Sequence, residues 1–112
     1  KKPVSRSSIL TVHGTEDKVV PYAGGKRGRN AVHLSAQDTA FYWAQQKGFK
    51  GEKITDEKGK EMSPGIMSYA YKKANVTHLK IVDAGHGLGP KGEKVNPIIN
   101  DFIRTGKIKR SY

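Results

Sequence analysis

The chain has 112 residues and no cysteine, with 21 Lys and Arg against 10 Asp and Glu for a formal charge of +11. That length builds one small domain; the absent cysteines exclude a disulfide framework and thiolate metal sites, and no apolar run reaches the about 18 residues that span a membrane. The cationic excess suits an anionic partner (nucleic acid, anionic polysaccharide or an acidic membrane surface), although cations scattered along a chain also serve plain solubility.

Lys1 to Arg6 is basic but carries no apolar stretch long enough for a signal peptide. Ser7 to Val12 is apolar and β-branched and ends at His13-Gly14; it reads as a parallel strand buried on both faces. Lys18 to Leu34 holds Pro21, Gly24, Gly25 and Gly28 and reads as a loop. Ser35 then caps a helix, with Asp38 three positions on as a capping-box-like partner. Ala36, Ala40, Phe41 and Ala44 share one face, Trp43 and Lys47 a neighbouring stripe, and Gly48 ends the helix as its C′ residue.

Glu52 to Thr55 reads as a weak strand and Asp56 to Lys60 as a polar turn. Ile66 to Lys72 alternates, with Met67, Tyr69 and Tyr71 on one face. Asn75 turns the chain into Val76 to Val82, with Leu79 and Ile81 on one side and Val76 and Val82 on the other, so the two segments pair as an antiparallel hairpin. Gly85 to Lys94 reads as a loop. Asn96-Pro97 reads as the N-cap and first residue of a closing helix that presents Ile98, Ile99, Phe102 and Ile103 and stops at Gly106. Lys107 to Tyr112 reads as a frayed basic tail. The order places the chain in the α/β class: a βαβ-like unit with a parallel sheet, a small β insertion and a closing helix. Two core strands alone leave a long unpaired sheet edge, so the fold is expected to need further strands.

Two residues stand where an α/β sheet gathers its chemistry, just past the carboxyl ends of strands. Asp17 follows the first strand; a carboxylate there can fix the tautomer of an imidazole and stabilise its charged form. His86 follows the last strand between Gly85 and Gly87, which let the backbone bring the ring close to a substrate as a general base. Taken singly, Asp17 also reads as a turn residue before Pro21, and His86 as a loop histidine facing water. Glu16 competes for the acid role, but the spacing Gly14-x-x-Asp17-x-x-Val20-Pro21 favours Asp17.

His13-Gly14-Thr15-x-Asp17-x-Val19-Val20-Pro21-Tyr22, then Gly24-Gly25, the Ser35 helix with Phe41 and Trp43, Tyr69-x-Tyr71, and Gly85-His86-Gly87 make a longer pattern. From about Ser8 to Ile103 it resembles the C-terminal portion of the polyhydroxybutyrate-depolymerase-like esterases, which include feruloyl and acetyl xylan esterases. The resemblance implies an α/β-hydrolase whose triad runs nucleophile, acid, histidine along the chain, with Asp17 as acid and His86 as base. No Gly-x-Ser-x-Gly elbow occurs in these residues. Residues 1–112 would then form the C-terminal part of a single α/β-hydrolase domain, the nucleophilic serine and both oxyanion donors lying in an N-terminal part upstream of Lys1. It further implies a carboxylic ester hydrolase acting on a polyester or a polysaccharide acyl ester, without metal or organic cofactor, located extracellularly, with the isolated chain inactive. Leu88-Gly89-Pro90 departs from the pattern, where many of these esterases carry an aromatic residue near a Pro-Gly turn.

Other candidates carry less. Ser63, in Met62-Ser63-Pro64-Gly65, lacks the elbow's first glycine and falls between Asp17 and His86; Ser5, Ser7 and Ser8 open a strand. Gly24-Gly25-Lys26-Arg27-Gly28-Arg29 lacks the Gly-Lys-Ser/Thr ending of a P-loop and reads as a flexible basic loop, with no specific nucleic-acid site. His13, His33, His78 and His86 have no metal-ligand spacing. His13 reads as a satisfied strand-end residue, and His78 as facing solvent or a neighbouring strand. Asp56 to Glu61 lacks the alternating acids of a calcium loop. The alternative function is a non-catalytic basic binding module for anionic polymers, using Lys26, Arg27, Arg29 and Lys107 to Arg110, whose affinity falls steeply with salt.

Overall fold

The computed structural model describes residues 7–27, 31–109 and 112, of which 26–27 and 31–33 are described by their backbone. Among them run β1 (Ile9–Gly14), β2 (Gly25–Arg27), β3 (Ala31–His33), α1 (Ala36–Gln46), β4 (Lys60–Ser63), β5 (Ile66–Tyr71), β6 (Val76–Ile81) and α2 (Gly92–Thr105). Four strands form one sheet in the order β1-β6-β5-β4, and β2 and β3 form a separate hairpin within the stretch expected to be a loop.

The sheet is mixed, not parallel. β1 and β6 run parallel, from Ile9 opposite Val76 to Gly14 opposite Ile81, whereas β6 with β5 and β5 with β4 are antiparallel. Connection length decides this. Gly65 (φ +80°) and Asn75 (φ 56°) make tight returns that suit only antiparallel neighbours, while the β1-to-β6 connection carries a helix. The expected hairpin about Asn75 is present. β4 was hidden in its composition: Lys60 and Glu61 are exposed on an edge strand, and only Met62 turns inward. Glu52 to Thr55 forms no strand; Ile54 instead packs beside Tyr71 and its N–H donates to the Tyr71 hydroxyl at 2.9 Å.

Alternation along the strands sends apolar side chains to both faces. On one face Met62, Ile66, Leu79 and Ile81 meet Val95 and Ile98 of α2. On the other, Tyr71, Ala74 and Val76 meet Ala40 and Ala44 of α1. Among the described residues β1 is an edge strand, flanked by β6 alone, and it is half-buried rather than buried on both faces.

α1 follows its local signals. The Ser35 Oγ accepts the N–H of Asp38 at 3.0 Å, and Gly48 takes φ +95° just past the C-cap. The Asp38 carboxylate pairs with Lys53. Trp43 is exposed, whereas Lys47 is buried, and its Nζ has no hydrogen-bond partner among the described residues. α2 starts at Gly92, a turn earlier than Asn96-Pro97 suggests, and holds Pro97 inside. Val95 is fully buried and begins the apolar stripe, so packing commits the residues before Pro97 to the helix. Proline then removes one hydrogen bond, to the carbonyl of Glu93. Ile103, expected on the apolar face, is 76% exposed because it falls at the side of that stripe. The tail is tied down rather than frayed where described: the Tyr112 N–H donates to Met62 O at 2.7 Å, and its hydroxyl donates to Asp101 at 2.7 Å.

Candidate functional site

The loops after β1 and β6 leave the sheet side by side and are stitched together by their backbones. Thr15 N–H donates to Ile81 O at 3.0 Å, Glu16 N–H to Ala84 O at 2.8 Å, and Asp83 N–H to the Thr15 hydroxyl at 2.8 Å. Gly14 permits this approach: a Cβ built there would lie 2.2 Å from Ala84 O. The stitching brings Asp17 and His86, 69 positions apart, to a distance of 2.8 Å between Oδ2 and Nδ1.

Asp17 is buried, and His86 has 58% of its side chain exposed. The other carboxylate oxygen, Oδ1, accepts the N–H groups of Val19 and Val20, each at 2.8 Å. Burial by itself would raise the Asp17 pKa. The hydrogen bonds from Val20, the His86 ring and Val19 outweigh it, and the pKa falls from 3.8 to about 2. An ionised carboxylate opposite Nδ1 selects the tautomer with the proton on Nδ1. Nε2 then carries the lone pair on the exposed edge of the ring, and it makes no hydrogen bond among the described residues. Glu16, the competing acid, is exposed and contributes its backbone N–H to the stitching.

The remaining sequence candidates fall elsewhere. Ser63 lies on β4, the sheet edge opposite β1, and Ser7 and Ser8 precede β1 at the end away from Asp17. Ser5, Gly28, Arg29 and Arg110 lie outside the described residues, as do the side chains of Lys26, Arg27 and His33. Lys107 and Lys109 are exposed. Asp56 binds Lys80 at 2.7 Å, and among the described residues no group of three His, Asp or Glu gathers to hold a metal.

A polar cluster that the sequence reading missed lies behind the site. His78, fully buried, faces the neighbouring strands and not solvent: its Nδ1 lies 2.8 Å from the Thr11 hydroxyl and its Nε2 2.8 Å from the Tyr22 hydroxyl. Gln37 Nε2 reaches the Tyr22 hydroxyl at 3.1 Å and Asp56 Oδ1 at 3.0 Å. Tyr69 OH and Lys80 Nζ also donate to Asp56 Oδ1. Burial, reinforced by the charges of His13 and Lys80, lowers the His78 pKa from 6.5 to about 4, so it is neutral near pH 7. Burial pushes the Tyr22 hydroxyl well above its ordinary pKa. The available signal was a histidine on the Val76 face of a strand otherwise rich in apolar residues. Register then sets it opposite both Thr11 and Tyr69.

Comparison with protein-family models, with curated proteins and with solved structures gives no match for this chain.

Proposed function

We propose that this chain supplies the acid and the base of a serine-type carboxylic ester hydrolase. The observation that carries the reading is the 2.8 Å contact between a buried, ionised Asp17 and the Nδ1 of an exposed His86, at the ends of adjacent parallel strands. A loop histidine merely facing water needs no buried carboxylate behind it.

In the proposed reaction a serine hydroxyl from an upstream part of the hydrolase gives its proton to Nε2 of His86 as its oxygen bonds to the ester carbonyl carbon. Asp17 stabilises the imidazolium so formed. The imidazolium returns the proton to the alcohol oxygen as the ester C–O bond breaks, leaving an acyl-serine. Water then attacks this second ester with His86 again as base, releasing the acid and restoring the serine. The sequence resemblance supports a polyester or a polysaccharide acyl ester as substrate and an extracellular setting. It also supports residues 1–112 as the C-terminal part of one α/β-hydrolase domain.

The test is hydrolysis of an activated p-nitrophenyl ester by the natural polypeptide that contains these residues, beside the 112-residue chain alone. The chain alone is expected to be inactive. In the natural polypeptide His86→Ala and Asp17→Asn should each lower kcat/KM by roughly 10³- to 10⁴-fold. Turnover indifferent to both substitutions, or hydrolysis by the 112-residue chain that depends on His86, overturns the proposal.

A further inference from the structure

Oδ2 of Asp17 faces two imidazoles. One is His86. The other is His13, whose Nε2 lies 3.3 Å from Oδ2 and 2.6 Å from the carbonyl oxygen of Val20. A carbonyl only accepts, so the proton of His13 sits on Nε2 and is donated to Val20, while the same nitrogen stands 3.3 Å from the carboxylate. The Asp17 loop is thereby closed twice at one residue. The Val20 N–H binds Oδ1 of Asp17, and the Val20 carbonyl is held by His13.

The anchor is stiff because of what stands behind it. His13 is part of β1, opposite Lys80 of β6, so the register of the parallel pair fixes its backbone. Its ring meets Tyr22 edge to face, with centroids 5.4 Å apart and planes at 78°. The hydroxyl of Tyr22 is held in turn by buried His78 and by Gln37. The bonds from Val19 and Val20 to Oδ1 are local to the loop and travel with it. The His13 bond refers the loop to the sheet.

We infer that His13 is a positioning residue for Asp17: by holding the Val20 carbonyl and facing Oδ2, it keeps the carboxylate aimed at Nδ1 of His86. The inference rests on the esterase reading for its catalytic meaning, but its geometry is measurable in this chain alone.

The experiment is proton exchange at Nδ1–H of His86 in the 112-residue chain, followed by ¹⁵N-correlated NMR and assigned by its loss in His86→Gln. His13→Phe keeps a ring against Tyr22 and removes the donor. It should speed exchange about tenfold, the equivalent of one hydrogen bond lost, while the amide spectrum of β6 stays in place. His13→Gln, which returns an N–H near the Nε2 position, should slow exchange back toward the wild-type rate. Exchange at the wild-type rate in His13→Phe, or the absence of a slowly exchanging Nδ1–H in the wild type, overturns the inference. If His13→Phe fails to fold, His13→Asn, whose amide is too short to reach Val20, takes its place. Equal exchange in the Asn and Gln variants then overturns it. Ester hydrolysis is not part of this readout. A natural polypeptide without esterase activity would defeat the proposed function while leaving the exchange result intact, and the reverse also holds.

Discussion

Asp17 and His78 respond to acid in different pH windows. The Asp17 pKa is lowered from 3.8 to about 2, so its contribution to stability is present above pH 3.8 and is lost only as pH falls toward 2. His78 is lowered from 6.5 to about 4 by burial. Between those values the unfolded chain binds the proton and the folded chain does not, so stability falls as pH drops from 6.5 to 4 and then levels. The span is worth about 3 kcal/mol at most. Urea unfolding of the wild type between pH 7 and pH 4 should show this loss, and His78→Gln should remove most of it. A pH dependence identical in the two proteins contradicts a neutral, buried His78. Asp17 stays ionised throughout the window, so the charge facing His86 persists while His78 titrates. The pairing of Asp17 with His86 was legible in the sequence because each follows a strand end, Asp17 three positions after Gly14 and His86 between Gly85 and Gly87. The cluster around Tyr22 and His78 was not, because the contacts of His78 span 56 and 67 positions and depend on register across three strands.

At the scale of elements, signals that are local in the chain were the readable ones. Ser35 and Gly48 bracket α1 through contacts within four residues, and Asn75 turns β5 into β6 with its own left-handed backbone. The start of α2 departs from its strongest local signal, Pro97, because the burial of Val95 overrides it. β4 escaped because its pairing with β5, not its composition, makes it a strand. The same contrast separates two substitutions. Ser35→Ala removes one cap bond and should cost about 1 kcal/mol in urea unfolding, leaving the Asp17–His86 contact as it is. Gly14→Ala drives a Cβ against the backbone oxygen of Ala84, which cannot swing aside. It should cost about 1–3 kcal/mol and also separate the two loops, speeding exchange at Nδ1 of His86. Stability unchanged in Gly14→Ala would mean that the loops do not approach as described.

Over the whole molecule two properties oppose each other. Among the described residues the strand β1, Ile9 to Gly14, ends the sheet, and it carries no lysine, proline or bulge of its own to guard that edge, so it invites another strand. The formal charge of +11 keeps copies of the chain apart. Salt weakens the second and not the first, because the screening length falls from about 30 Å at 0.01 M to about 10 Å at 0.1 M, whereas backbone pairing is short-ranged. Sedimentation velocity on the 112-residue chain should therefore show monomer at low salt and concentration-dependent association as salt rises. A basic module binding an anionic polymer predicts the opposite slope, with complexes that dissociate as salt rises because releasing counterions into more concentrated salt gains less entropy. The two experiments share one variable and separate cleanly. Association that grows with salt assigns the open edge to β1, where a further strand can pair. A chain that stays monomeric across the series, yet captures an anionic polymer at low salt regardless of His86→Ala, moves the function from the strand ends to the cationic surface.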